Sequence, residues 1–202
     1  DKTKGIGGGM NFCAEKVKTE YINFLHSDFY VGKDWDVELM KIHDKYEDKE
    51  LWVNSFRIEP NMFNSPDRVG TLLVHPDEFG AYHDDFNTKR FIDYAAEFAK
   101  QNDHEIPKGE GVSGLIKKSV WDRIGGNDPL FAPTSWDDHD LFLRMLQDGI
   151  EFIMPTKSVV YHFGARGSHR LEENDGKSSE RQMKAEQRNS RKFFEKWGGM
   201  PI

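Results

Sequence analysis

Cysteine is all but missing: Cys13 is the single one in 202 residues, which excludes an internal disulfide framework and suits a reducing, cytoplasmic compartment. Also missing is an apolar run of the roughly 20 residues that a membrane-spanning helix needs, and no signal-peptide pattern opens the chain. No transmembrane segment is therefore expected. Basic excess is lacking as well. With 28 Lys and Arg against 35 Asp and Glu the formal charge is −7, so there is no broad cationic face for general nucleic-acid binding. No internal repeat is visible. What remains is a globular composition, 37% hydrophobic and 13% aromatic with mixed charge, in a chain long enough to bury a core.

The periodicities alternate between strand and helix. After a glycine-rich opening, "DKTKGIGGGMN", that reads as a loop, residues 11–18 suit a short helix and 20–25 a buried strand. Residues 34–46 put Trp35, Leu39 and Ile42 on one helical face, with Asp34 and Asp36 at its start. "LWVNSFRI" (51–58) is a strand, and the Pro-, Asn- and Asp-rich stretch 59–87 a long loop. Residues 88–102 form an amphipathic helix. "GVSGLIKK" (111–118) is a strand whose internal Gly114 suggests close backbone approach by a partner. A helix over 136–147 stops at Gly149, "SVVYHF" (158–163) is a strand, and a final helix over 178–197 starts at a Ser cap. The fold class is α/β, a mixed and mostly parallel sheet flanked by helices. Residues 1–176 are expected to form one core, with a helix in 177–202 packing on it or extending from it.

Four clusters could carry chemistry. "FLHSD" (24–28) ends an apolar run in Asp28, where α/β sheets collect ligands; read alone, Asp28 is also an ordinary turn acid. "TSWDDHDLFLRM" (134–145) fits a capping box from Ser135 to Asp138, yet that box uses one acid and here are Asp137, Asp138 and Asp140. In "VVYHFGARGSHR" a strand-end His162 precedes a basic, Gly-flanked loop suited to phosphate oxygens. "HPDEFGAYHDD" (75–85) offers metal-ligand types without regular spacing, and reads as a solvated loop.

The order of these pieces resembles the family 2 glycosyltransferases. In "NFCAEKVKTEYINFLHSD", Asn11, Glu20, Tyr21, Ile22, Phe24, Leu25 and Asp28 fall on the positions of the family's Asn-x-Gly, Gly-Glu-Tyr-Ile and Asp-x-Asp pattern. "SGLIKKSVWDRIGGNDPLF" is similar to its acceptor-side segment before Gly-Gly-Phe-Asp. "WDDHDLFLRM" resembles its Glu-Asp-x-Asp-Leu-x-x-Arg motif, and "SVVYHFG" its closing Val-x-His. The four segments cover most of residues 5–165.

The resemblance implies a GT-A-like, Rossmann-related fold and inverting transfer of a sugar from a nucleotide-diphosphate donor of UDP or GDP type. The acceptor would be a carbohydrate or glycoconjugate hydroxyl. It also implies Mn²⁺ or Mg²⁺ held by Asp28 and His162, with Asp138 as general base. Donor contacts fall to Asn11, His26, Arg166 and His169, and acceptor contacts to Gly114, Trp136 and Asp137. Asp140 and Arg144 would brace the helix. Two positions depart from the pattern: His26 stands for the family's first Asp of Asp-x-Asp, and "GGGMN" replaces its Ala-Arg-Asn. Family members also begin with a strand, a helix and a second strand that grip the base, so the protein is expected to continue upstream of residue 1. The competing reading is a non-catalytic carbohydrate-binding or assembly module on the same scaffold; a hydrolase using the same acids is a third.

Overall fold

"LWVN" and "EFIMP" are near-continuous apolar runs, the composition of strands covered on both faces, and both form central strands. The computed structural model describes residues 5–62, 68–109, 111, 113–164 and 179–199. Strand β3 (Leu51–Asn54) is buried throughout and pairs in parallel with β8 (Glu151–Pro155). Around this pair, β1 (Tyr21–Phe24), β7 (Gly114–Lys117) and β6 (Glu105–Pro107) complete a five-stranded sheet of order β1-β7-β3-β8-β6, in which β7 and β6 run antiparallel to their β3 and β8 neighbours. A second, four-stranded sheet has the order β2-β9-β4-β5, built from β2 (Phe29–Val31), β4 (Phe56–Pro60), β5 (Thr71–Val74) and β9 (Val159–His162). Its β9·β4 and β4·β5 ladders are parallel, and the edge strand β2 is antiparallel to β9. The architecture is thus α/β with mixed sheets, of Rossmann-like kind, with its strands in two sheets rather than one.

Where one strand was expected over 51–58, the chain changes sheets at Ser55, leaving β3 in the first and β4 in the second. Its parallel companion does the same between β8 and β9, and the two crossings are tied by a 2.8 Å bond between the Ser55 and Ser158 hydroxyls. The expected loop over 59–87 is also more ordered than its composition suggests. Glu59 and Pro60 finish β4, and Thr71–Val74 form a parallel strand against it.

The chain divides into two compact units. The unit of residues 23–115 and 151–167 holds most of both sheets, α2 (Trp35–Lys45) and α3 (Thr88–Gln101). In α2, Leu39 and Ile42 are buried as the helical spacing predicts, although Asp34 at its N-cap makes no side-chain cap bond. Helix α3, capped by Asn87 accepting from the Arg90 N–H, lays Phe91 and Ala95 against Ile58, Phe79, Val159 and Tyr161. Each large side chain fully buried in this way contributes about 1.5–3 kcal/mol. Gly114 is required by packing inside the unit, since a Cβ there would lie 2.7 Å from the Trp52 ring. The close approach that Gly114 signalled is made by the protein's own indole.

The other unit, residues 1–22, 116–150 and 168–202, is helical: α1 (Gly5–Ala14), α4 (Lys118–Ile124), α5 (Asp137–Gln147) and α6 (Glu180–Trp197). Val120, Trp121, Phe131, Leu141, Met145 and Phe193 are buried there. Helix α6 starts at Ser179, which accepts from the Gln182 N–H, and stops at Gly198 with φ of 72°. It packs on the 131–135 segment, where Asn189 donates to the carbonyls of Phe131, Thr134 and Ser135. From Gly5 onward the glycine-rich opening is helix rather than loop. Tertiary contacts override its poor propensity: the Ile6 N–H donates to the Pro133 carbonyl, and Gly7 lies so close to Asn127 that a Cβ would meet it at 2.9 Å. Among the described residues no helix is long and apolar enough to cross a membrane.

Candidate functional site

The register of the four-stranded sheet builds the first cluster. Strand β9 lies between β2 and β4; His162 is the antiparallel partner of Phe29, and the β4·β9 ladder brings Glu59 alongside it. A tight turn, with the Phe29 N–H on the His26 carbonyl, delivers Asp28 just ahead of β2, and its backbone carbonyl accepts from the Phe163 N–H at 3.0 Å. The imidazole is thereby enclosed on three sides. Its face stacks on Phe29 with centroids 4.3 Å apart, Nδ1 lies 2.8 Å from Glu59 Oε1, and Nε2 lies 3.4 Å from Asp28 Oδ2. Asp28 thus lies in a turn and also faces His162, so a turn position does not exclude the other reading.

Glu59 is itself held. Its Oε2 takes a hydrogen bond from Arg68, and the Arg57 Nε, which donates to Thr71 Oγ1, stands 3.9 Å from Oε1. Arg57 and Glu59 lie on one face of β4, and a strand read two residues further than 51–58 would have included Glu59. Burial acts to lower the His162 pKa, but the hydrogen bonds and charges of Asp28 and Glu59 outweigh it and raise the pKa above the ordinary histidine value. Burial likewise pushes both carboxyls upward, and His162, joined at Glu59 by Arg68 and Arg57, more than reverses this, so both sit below their usual range.

One imidazole nitrogen and one carboxylate facing each other suit a hard divalent cation such as Mn²⁺ or Mg²⁺. Glu59 on the far ring nitrogen matches the carboxylate–histidine pairing that orients metal-binding imidazoles. Among the described residues no group of three or more His, Cys, Asp or Glu is arranged to hold a metal ion. Asp28 and His162 are thus a pair of candidate ligand types 3.4 Å apart, without a third such residue in place among the described residues. His26 lies beside this cluster: its backbone N–H reaches Ser113 Oγ at 3.4 Å, and its ring meets Phe29 edge-on. Arg166 and His169 lie outside the described residues.

The second cluster belongs to the helical unit. The expected capping box does not form: Trp136 is the N-cap of α5 without a side-chain cap bond, and the Ser135 hydroxyl accepts from the Gln182 side chain instead. Ser135 and Trp136 are both left-handed, with φ of 73° and 71°, a strain of about 1–2 kcal/mol per residue that the Asn189 clamp holds in place. This turn aims Asp137 and Asp138 out of the first turn of α5. Asp138 is half-buried and takes the His139 N–H on Oδ1 at 2.9 Å. Asp137 is half-buried as well. Burial first, then the like charge of Asp138, push its pKa up to about 6, against the pull of backbone N–H bonds. The signal for this was present in the sequence as paired acids ahead of an apolar helix. Trp136 itself packs on Phe193 and His139 within the unit.

Asp140 and Arg144 brace the unit, as expected. Asp140 is fully buried and bonds Arg144, Lys196 and the Trp197 indole N–H, while Arg144 also donates to the carbonyls of Ile124 and Gly126. Asn11, expected at the donor, spends both ends of its amide on Asn127: Oδ1 accepts the backbone N–H and Nδ2 donates to the carbonyl, each at 2.8 Å. The 75–85 cluster is used locally, with Asp85 accepting from the Ala81 and Tyr82 N–H groups and His75 from that of Asp77. The chain matches no protein-family model, and no curated protein resembles it significantly.

Proposed function

We propose that this chain transfers a sugar from a nucleotide-diphosphate donor to a hydroxyl of a carbohydrate or glycoconjugate acceptor, with inversion and dependence on a divalent cation. The observation that carries the reading is the Asp28–His162–Glu59 array, in which an imidazole nitrogen is turned toward a carboxylate while its other nitrogen is fixed. Asp28 and His162 are the residues that would hold Mn²⁺ or Mg²⁺. Such a cation, when bound, neutralises charge developing on a diphosphate leaving group. Within the chain, Phe29 and Glu59 hold the imidazole in place, and the partners around Asp28 keep its carboxylate ionised at neutral pH. Asp138 accepts the acceptor hydroxyl's proton as that oxygen attacks, and Asp137 receives the same hydroxyl or its neighbour. The resemblance to family 2 glycosyltransferases supports these roles.

Calorimetry with a UDP- or GDP-sugar in the presence of Mn²⁺ tests the reading. Wild-type protein should bind the donor only with metal, and Asp28→Ala should lose that binding. Undiminished metal-dependent binding in the variant would remove Asp28 from the site. One observation favours the second reading, a non-catalytic carbohydrate-binding module: the Asn11 amide is held at both its ends by Asn127. Glycan binding without any donor binding would support that module instead.

A further inference from the structure

Resting on the reading of Asp28 and His162 as metal ligands, we propose that Glu59 is the positioning residue of that site: it keeps the proton of a neutral His162 ring on Nδ1 and so leaves the Nε2 lone pair facing Asp28. Two carboxylates flank the ring, and an ionised carboxylate only accepts hydrogen bonds, so they compete for one N–H. The Glu59 contact is shorter, 2.8 Å against 3.4 Å, and better enclosed, with 9% of its side chain exposed against 25% for Asp28. Bonds to charged groups strengthen as water is excluded, so the proton stays with Glu59.

The rest of the strand fixes Glu59 for this task. Arg68 occupies Oε2, which leaves Oε1 for His162, and Arg57, anchored on Thr71, adds positive charge 3.9 Å away. The Phe29 ring, nearly parallel to the imidazole at 17°, resists rotation of the ring out of this plane. Glu59 thus acts through His162 and does not itself face the ligand side.

Two measurements test the proposal. In metal-free wild-type protein, at an alkaline pH where the ring is neutral, long-range ¹⁵N–¹H correlation spectra should show the Nδ1–H tautomer, with the signal assigned by its loss in His162→Gln. An Nε2–H tautomer overturns the proposal. Mn²⁺ titration by calorimetry should then show Glu59→Ala weakened on the order of 10–100-fold, as for other lost partners of metal-bound imidazoles, while Glu59→Gln, which keeps one acceptor oxygen for Arg68 and Nδ1–H to share, should lose less. Equal affinity in all three proteins, or an equal loss in both variants, overturns it. The spectra need no variant at Glu59, so a poorly folding alanine variant does not blunt the test. If wild-type protein shows the Nδ1–H tautomer but no Mn²⁺ binding, the metal reading falls and the orienting role of Glu59 stands.

Discussion

Glu59 and Asp137 are both carboxylates withdrawn from much of the solvent, and their pKa values move in opposite directions. Glu59 meets His162, Arg68 and Arg57, and stays ionised more readily than a free glutamate. Asp137 meets another acid, and among the described residues no Lys, Arg or His pairs with it, so its pKa climbs to about 6. Burial penalises both by the same physics; the sign of the neighbours decides the outcome. Asp140, on the same helix as Asp137, makes the point within one element, because Arg144 and Lys196 accompany it into a fully buried position. The cationic neighbours thus favour the ionised form of Glu59, and the acidic neighbour of Asp137 favours its protonated form.

The largest effect that would sharpen this contrast is on turnover. If the α5 acids handle the proton, Asp138→Asn should slow sugar transfer on the order of 10²–10⁴-fold with donor affinity little changed. Steady-state kinetics with unchanged turnover would return Asp138 to a structural role. A smaller effect bears on stability. The folded pKa of Asp137 lies above its unfolded value, so its contribution to stability is fully present below the unfolded pKa, near pH 4, and is lost as pH rises through about 6. Asp137→Asn should accordingly stabilise the protein by roughly 2 kcal/mol at pH 7.5, after allowance for partial exposure, and by almost nothing at pH 4. Urea unfolding at the two pH values reads this directly, and equal effects at both would break the comparison. The smallest effect is expected at Arg68, whose side chain is 49% exposed. Arg68→Gln should cost only about 0.5–1 kcal/mol in the same assay, because Arg57, at 14%, remains to compensate Glu59. A loss several times larger would mean that Arg68 alone carries that role.

Much of this was legible from residue order. Apolar runs gave β1, β3 and β9, a 3.6-residue period gave α2 and α3, and the cap and stop residues gave α6, whereas β8 (Glu151–Pro155) went unread between the Gly149 stop and the next strand. Asp28 and His162 were each visible at the end of an apolar run, but their meeting depends on antiparallel pairing of β2 with β9, which no local pattern encodes. Glu59 was hidden because Pro60 beside it reads as the start of a loop, whereas the chain places that proline last in the strand. The capping box failed for a related reason: Ser135 has a competing partner on α6, distant in sequence, and the helix begins after a left-handed Trp136 instead.

Helix α1 has a consequence of its own. Four of its ten residues are glycine, at positions 5, 7, 8 and 9. Glycines 7, 8 and 9 inside it forgo about 1 kcal/mol each of intrinsic helix propensity relative to alanine, and a helix this short is marginal in water even with good formers. It persists through a few tethers, chiefly the Asn11 amide on Asn127 and the Gly7 contact. Hydrogen exchange should therefore show its amides opening more readily than those of the longer helices. Opening of α1 would also free the backbone N–H and carbonyl of Asn127, which the Asn11 amide holds.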